Sequence, residues 1–227
     1  MKVSRKAGIG SCLLVLAALP AAAQTLWLEP DPIAPGAKEP VSVHLFLGDR
    51  FAGEERAIDA GKVVTFQRLR KNGRENLARE DGTLPVASYT TGEDGVEIVA
   101  LTWKGRTSSY YCKSIQVVGD AKPGHPLRYS EFGQRLEIVP QTDPVVLARN
   151  GGRLEIQVLY EREPLAGIRV MAMPKHDSGD SSVVKVTDEI GVVSFDLVQG
   201  GPWLIHVSYK TPEARSRATL VLQAGQS

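Results

Sequence analysis

Three runs decide the fold of this chain: P-L-A-G-I-R-V-M-A-M (residues 164–173), V-T-D-E-I-G-V-V-S-F-D-L (186–197) and G-G-P-W-L-I-H-V-S-Y (200–209). Each run alternates apolar and polar residues, and each is bounded by Gly, Pro or Asp. Such alternation is typical of strands whose two faces meet different surroundings. Strands separated by a T-D-x-x-G turn and a Gly-Pro turn predict an antiparallel sandwich.

The same alternation continues on both sides of this stretch. A short strand begins at residue 24 and ends at the two prolines that follow it, Pro30 and Pro32. The other predicted strands cover residues 41–47, 62–69, 96–103, 110–118, 136–140, 153–160, 167–173, 183–187, 192–197, 203–209 and 218–222. No helical periodicity of sufficient length interrupts the strands before residue 119, so the chain is predicted to be all-β.

The pattern lapses between residues 119 and 134, where prolines, glycines and mixed charges indicate a linker or a domain seam. The linker divides the chain into two tandem antiparallel β-sandwich domains of the immunoglobulin or prealbumin type, at residues 24–118 and 135–227.

Two internal sequence similarities, which we call echoes, indicate that the two halves of the chain have similar structures. L-E-P-D-P-I-A-P-G before one long strand matches I-V-P-Q-T-D-P before another. A second echo pairs T-T-G-E-D-G-V-E-I with V-T-D-E-I-G-V-V-S.

Residues 1–23 have the pattern of a secretory signal peptide, with a basic start, the apolar run Leu13–Leu19 and a small-residue end. Cleavage after Ala23 would deliver the protein to the periplasm, and no other apolar run is long enough to span a membrane. Only Cys112 would remain, so we predict no intrachain disulfide and a small buried side chain on the strand 110–118.

Composition and motifs exclude two classes of function. The formal net charge is +1, so the chain lacks the electrostatic footprint of a nucleic-acid-binding protein. The sequence contains no G-x-S-x-G motif, no H-E-x-x-H motif and no Cys–His pairing. We therefore predict that the protein is not an enzyme.

Several motifs together resemble a known family. They are the signal peptide, L-W-L-E-P (residues 26–30), G-Q-R-L-E-I-V-P-Q-T-D-P (133–144) and the later P-L-A-G, T-D-E-I-G and G-P-W-L-I-H-V. This combination resembles the bacterial periplasmic domain-of-unknown-function family 4198, whose members are often described as the periplasmic component of cobalt or nickel uptake. The C-terminal part also resembles the regulatory-type β-sandwich of carboxypeptidases.

The resemblance implies an extracytoplasmic, all-β, non-enzymatic protein that handles a transition metal for a membrane importer or an outer-membrane receptor. Family members commonly carry a His shortly before W-L-x-P and a His-Met pair after the G-P-W strand. This chain has Gln24 at the first place, and Tyr209 and Lys210 at the second.

The first metal candidate is the loop M-P-K-H-D-S-G-D, which places His176, Asp177 and Asp180 in one segment. Transition metals favour imidazole nitrogen with carboxylate, and their sites need three or more converging ligands. The spacing matches no calcium loop, and an ordinary solvated turn is the alternative interpretation.

The other three histidines are weaker candidates, because no two histidines are spaced for a local chelate. His125 lies in the predicted linker with Arg128 and Tyr129, and domain seams often hold ligands. His44 and His206 lie on predicted strands, where we expect solvent-facing positions. They could join a metal site only if the two domains bring their strands together.

Two functional hypotheses follow. The first is a periplasmic binding or accessory protein with nickel or cobalt as the transported ligand. The alternative is a structural or interaction module that binds a protein or polysaccharide through exposed edge strands, without metal. A metal carrier should concentrate its imidazoles, whereas this sequence disperses them.

Overall fold

The computed structural model describes residues 24–49, 51–78, 80–129, 131–175 and 181–225, so the predicted signal peptide lies outside the described residues. The described chain forms a short 3₁₀ turn at Ala60–Lys62, one α-helix, α1 (Pro144–Asn150), and sixteen strands. The strands are β1 (Thr25–Asp31), β2 (Pro40–Asp49), β3 (Ala52–Glu55), β4 (Val63–Arg70), β5 (Gly73–Asn76), β6 (Ala87–Thr90), β7 (Gly95–Lys104), β8 (Ser108–Val118), β9 (Leu136–Pro140), β10 (Gly152–Tyr160), β11 (Glu163–Pro164), β12 (Arg169–Pro174), β13 (Val183–Val186), β14 (Val192–Leu197), β15 (Gly201–Lys210) and β16 (Arg215–Ala224).

These strands form three sheets, which confirms the all-β prediction. The front sheet contains β1, β2, β3 and β6, and the back sheet contains β9, β10, β11 and β14. The central sheet has eight strands in the order β13-β12-β15-β16-β8-β7-β4-β5. Its strand pairs are antiparallel except for β16 and β8, which run parallel and join the two halves of the chain.

The same topology occurs twice. In each half, the first, second, third and sixth strands form an outer sheet, and the other four enter the central sheet. The first sequence echo therefore has a structural counterpart, because β1 and β2 occupy the same places as β9 and β10. The second echo joins elements that are not equivalent, since it pairs the turn before β7 with the turn before β14.

Alternating residues of the central sheet enter two separate cores, because successive side chains of a strand point to opposite faces. Ile98 packs in a large core with Ile156 of the back sheet, and Leu101 packs in another core with Leu45 of the front sheet. All four side chains are fully buried. Each such side chain contributes about 1.5–3 kcal/mol through removal of apolar surface from water.

A third, smaller core connects the two halves. Trp27 and Phe51 from the N-terminal half pack with Leu204 and Val221 of the central sheet. Trp27 also stacks on Phe46, with ring centroids 5.6 Å apart. The face of the front sheet that carries Trp27 and Phe46 therefore rests against the C-terminal half.

The segment between residues 119 and 134 contains turns and no strand in its described parts, residues 119–129 and 131–134. It is fixed to both halves. In the N-terminal half, the amide of Gly119 donates to Pro35 O at 2.8 Å, and Gln134 Nε2 donates to Leu101 O at 3.1 Å. In the C-terminal half, Arg149 Nη2 donates to Ala121 O at 2.7 Å. Cys112 is buried as predicted, and burial raises the pKa of its thiol to about 12.

Helix α1 is an element that the strand pattern did not predict. The Asp143 side chain caps its first turn by accepting from the Val145 amide at 2.9 Å, and Pro144 occupies the start. Gly151 ends the helix with a positive φ of 62°. Asp-Pro before a short apolar run and Gly after it are the standard signals. None of the helices in the described ranges is long and apolar enough to cross a membrane.

Candidate functional site

The predicted metal loop, with His176, Asp177 and Asp180, lies outside the described residues. The other three histidines lie in different places. Across the part of the chain that the structure describes, no group of three or more His, Cys, Asp or Glu side chains could hold a metal ion. His44, His125 and His206 therefore do not form one site among themselves.

His125 lies in the loop between β8 and β9, beside a cavity of about 210 Å³. Its Nδ1 accepts from the Leu127 amide at 3.2 Å. Arg128 donates to the His125 carbonyl at 3.3 Å and lies over the Tyr129 ring at 4.8 Å, so the structure does bring the predicted trio together. Burial, followed by the charge of Lys71, lowers the pKa of His125.

His206 is half-buried and its ring nitrogen Nε2 is fully covered, so the expected solvent-facing position is wrong. Its ring lies on the front face of β15, where the end of β2 and β16 surround it, and its Nε2 atom is buried without a hydrogen-bond partner among the described residues. Burial, followed by the charge of the Arg217 guanidinium, lowers the pKa of His206 to about 4. The Asp49 carboxylate acts in the opposite direction.

The depressed pKa of His206 predicts a loss of stability in acid. A basic group whose pKa falls on folding leaves the free energy of unfolding unchanged above its unfolded pKa, about 6.5. Below that pH the unfolded chain takes up the proton first, so the free energy of unfolding decreases until the pH reaches the folded pKa, about 4. We expect about 3 kcal/mol to be lost over this window, since each pKa unit corresponds to about 1.4 kcal/mol. Urea unfolding between these pH values should show a flatter dependence for His206→Leu, and identical slopes would contradict the assignment.

Of the three described histidines, His44 is the one whose ring pairs with a carboxylate. It lies on β2, and its Nδ1 is 2.7 Å from Glu55 Oε1 on the adjacent strand β3. A carboxylate can only accept, so Nδ1 carries the proton and Nε2 is the nitrogen left for a ligand. Glu29 of β1 lies directly opposite His44 in the register of the front sheet.

This pair lines a groove of about 490 Å³ between the front sheet and the C-terminal half. We call it the His44 groove. Its charged and imidazole side chains are His44, Glu55, Glu29, Asp31 and Lys175.

One wall of the His44 groove comes from the C-terminal half. Lys175 follows β12, and its amide donates to Pro202 O at 2.9 Å. Its ammonium pairs with Glu29 and lies 5.7 Å from the Phe51 ring centroid. The front sheet supplies the carboxylates and the imidazole, so the site requires both halves of the chain.

The electrostatics of the His44 groove favour a cation. Three carboxylates, those of Glu29, Asp31 and Glu55, face one ammonium. The His44–Glu55 pair has the arrangement of a metal-binding imidazole, in which a carboxylate fixes the tautomer and the ring orientation through the other nitrogen. A neutral Nε2 and a nearby carboxylate are donors that nickel and cobalt accept.

The sequence predicted His44 but missed Glu29, Glu55 and Lys175. Glu55 belongs to a four-residue polar strand that has no apolar alternation to reveal it. Glu29 stands in the quoted L-W-L-E-P motif, and it becomes a neighbour of His44 only once the register of β1 on β2 is known. An alternating strand predicts which face a side chain occupies, and it does not predict the partner across the sheet.

The fold and the groove define an all-β sandwich protein with a polar groove where its two halves meet. The family described as "Domain of unknown function (DUF4198)" matches residues 21–211, and the chain belongs to that family. The predicted family resemblance is thereby confirmed, and its link to cobalt or nickel stays a prediction. A comparison with curated proteins finds no match.

Three solved structures are similar in outline. The D0-D1 domain of intimin is 12% identical over 88% of this chain and 97% of its own, with a TM-score of 0.27. Chicken CNTN1 FN1-FN3 domains are 9% identical over 85% and 65%, with a TM-score of 0.28. Trypsin-activated alpha-2-macroglobulin from Escherichia coli is 9% identical over 94% and 16%, with a TM-score of 0.30. At such low scores, these neighbours carry no functional argument.

Proposed function

We propose that the protein is a non-enzymatic binding or accessory protein of the periplasm that handles a divalent transition metal, nickel or cobalt, in the His44 groove. The observation that supports this most is the pair of His44 Nδ1 and Glu55 Oε1 at 2.7 Å. The pair leaves Nε2 as the free donor in a groove that also contains the Glu29 and Asp31 carboxylates.

The described residues provide only part of a metal site, because they hold no group of three metal-binding side chains. Lys175 lines the groove, and His176 is the next residue of the sequence. In this proposal, His44 supplies one imidazole, and the candidates for the remaining donors are His176, Asp177 and Asp180, which lie outside the described residues. Sites of this kind require three or more protein ligands.

Calorimetric titration of the purified protein with nickel or cobalt chloride tests the proposal. We expect binding by the wild type, and affinity weakened about tenfold or more in His44→Ala and in His176→Ala, because each loses one donor. His125→Ala is the matched control, since His125 lies in a different cavity, and its affinity should equal that of the wild type.

Two outcomes would contradict the metal assignment. One is the absence of binding by the wild type, and the other is unchanged affinity in His44→Ala when circular dichroism shows that the variant is folded. Either result would move the interaction-module hypothesis ahead, and a feature of β13 described below supports that hypothesis independently.

The partner in this proposal is a membrane importer or an outer-membrane receptor that receives the metal. The location follows from the predicted signal peptide at residues 1–23. Osmotic-shock fractionation tests it, because a cytoplasmic protein would remain with the cell pellet.

A further inference from the structure

The two outer strands of the central sheet are equivalent in the internal duplication but differ in chemistry. β5 has the sequence G-R-E-N, and its Glu75 pairs with Arg68 and Arg70, each at 3.0 Å. β13 has the sequence V-V-K-V, and its valines are 41–56% exposed. Natural proteins usually protect edge strands with charge, so β5 is protected and β13 presents an apolar edge.

The one charged residue of β13 is directed away from the edge. Lys185 Nζ donates to Ser194 O of the back sheet at 2.7 Å and lies 5.6 Å from the Phe195 ring centroid. A lysine on an edge strand discourages an added strand because pairing would remove water from its ammonium. Lys185 is held against the back sheet and does not protect β13 in this way.

The pairing of β13 with β12 fixes which backbone groups point outward. Thr187 N donates to Ile168 O at 3.0 Å, and hydrogen-bonded pairs alternate with non-hydrogen-bonded pairs along an antiparallel ladder. In the observed register, Val184 and Val186 fall at the non-hydrogen-bonded places. Their N–H and C=O groups therefore point away from β12, toward the side on which no described strand pairs with β13.

We propose that β13 binds an extended segment of a partner polypeptide as an added strand of the central sheet. Alternate donors and acceptors on Val184 and Val186 complement the backbone of an extended chain. The exposed valine side chains complement apolar, β-branched residues of that segment. The partner is thus a protein that presents an apolar extended segment, and the inference does not depend on metal binding in the His44 groove.

A selection from displayed linear peptides tests this surface. The probe is a library of random peptides of about ten residues, long enough for one strand. We expect the purified protein to select peptides that alternate apolar and polar residues. On binding a synthetic copy of such a peptide, the amides of Val184 and Val186 should become protected from hydrogen exchange.

The internal duplication provides a matched pair of variants. Val186→Pro removes an outward N–H and retains the Thr187 N–H bond to β12. We expect it to weaken peptide binding about tenfold or more, the equivalent of about 1.4 kcal/mol. Asn76→Pro makes the equivalent change in β5, where Leu77 N still donates to Phe66 O at 2.9 Å, and its affinity should equal that of the wild type.

Three results would overturn the proposal: no peptide family is selected, Val186→Pro binds as tightly as Asn76→Pro, or the newly protected amides lie outside β13. Sedimentation of the free protein provides a separate test. A dimer that Val186→Pro dissociates would identify a second copy of the chain as the occupant and would overturn the assignment to a different protein.

Discussion

Replacing Glu137 with alanine is expected to lower the free energy of unfolding by about 3–5 kcal/mol. The carboxylate is buried and accepts from Lys113 Nζ at 2.7 Å. It also accepts the backbone amides of Phe132, Gly133 and Gln134 at 2.5, 2.8 and 3.1 Å. Removing it leaves three amides without their acceptor and an ammonium without its counter-charge, in a place from which water is excluded.

Urea unfolding at neutral pH measures this effect, with Glu93→Ala as the control. Glu93 pairs with Lys38 at 3.0 Å, but both side chains are exposed. The loss of an exposed pair costs about 1 kcal/mol or less, because water replaces the partner. If both variants lost the same small amount, Glu137 would not be the group that fixes the segment before β9 to the central sheet.

Replacing Arg68 with alanine is the second large expected effect, at about 3–5 kcal/mol. The guanidinium is almost fully buried, donates through Nε to Glu97 at 2.8 Å and pairs with Glu75 at 3.0 Å. It also donates to Thr90 O at 2.9 Å and lies 4.1 Å from the ring centroid of Tyr89. The alanine variant leaves the Glu97 carboxylate buried without its cation, between β7 and the front sheet.

The matched control for Arg68 is its neighbour on the same strand. Arg70 also bonds Glu75 at 3.0 Å, but its side chain is 40% exposed. Arg70→Ala should therefore change the free energy of unfolding by about 1 kcal/mol or less. Equal losses of unfolding free energy in the two variants would contradict the prediction, because they would show that burial of the Arg68 ion pairs does not determine the size of the effect.

The sequence predicted the long strands well, because apolar and polar residues alternate along a strand whose two faces meet different surroundings. β2, β7, β8 and β15 all lie where the pattern places them. The short strands β3 and β5 escaped prediction, since four largely polar residues have no apolar face. The parallel pairing of β8 with β16 could not be predicted either. Alternation indicates which face of a sheet each side chain occupies, but it does not indicate which distant strand lies alongside.

The candidate site was predictable only in part, for the same reason. His44 was named as a candidate, whereas Glu55 and Lys175 become its neighbours through sheet pairing and through contact between the two halves. His206 shows the opposite error. Its alternation with Ser208 indicated a polar, exposed face, yet the ring is half-buried and its Nε2 atom is fully covered.

The duplication explains how a groove and an apolar edge arise in one chain. Two copies of a sandwich share a sheet by pairing their last strands, so an outer sheet of one copy lies against the other copy. This contact creates the His44 groove. It also leaves β5 and β13 as the two ends of the shared sheet, where their sequences differ in charge.

The most direct measurement is the ¹H–¹⁵N spectrum of the histidine side chains during addition of cobalt chloride. Cobalt bound in the His44 groove should shift or broaden the signals of His44 and His176 first and leave those of His125 and His206 in place. The change should disappear in His44→Ala. An unchanged His44 signal at saturating cobalt, or equal changes at all four histidines, would contradict the claim that this groove is the ligand site.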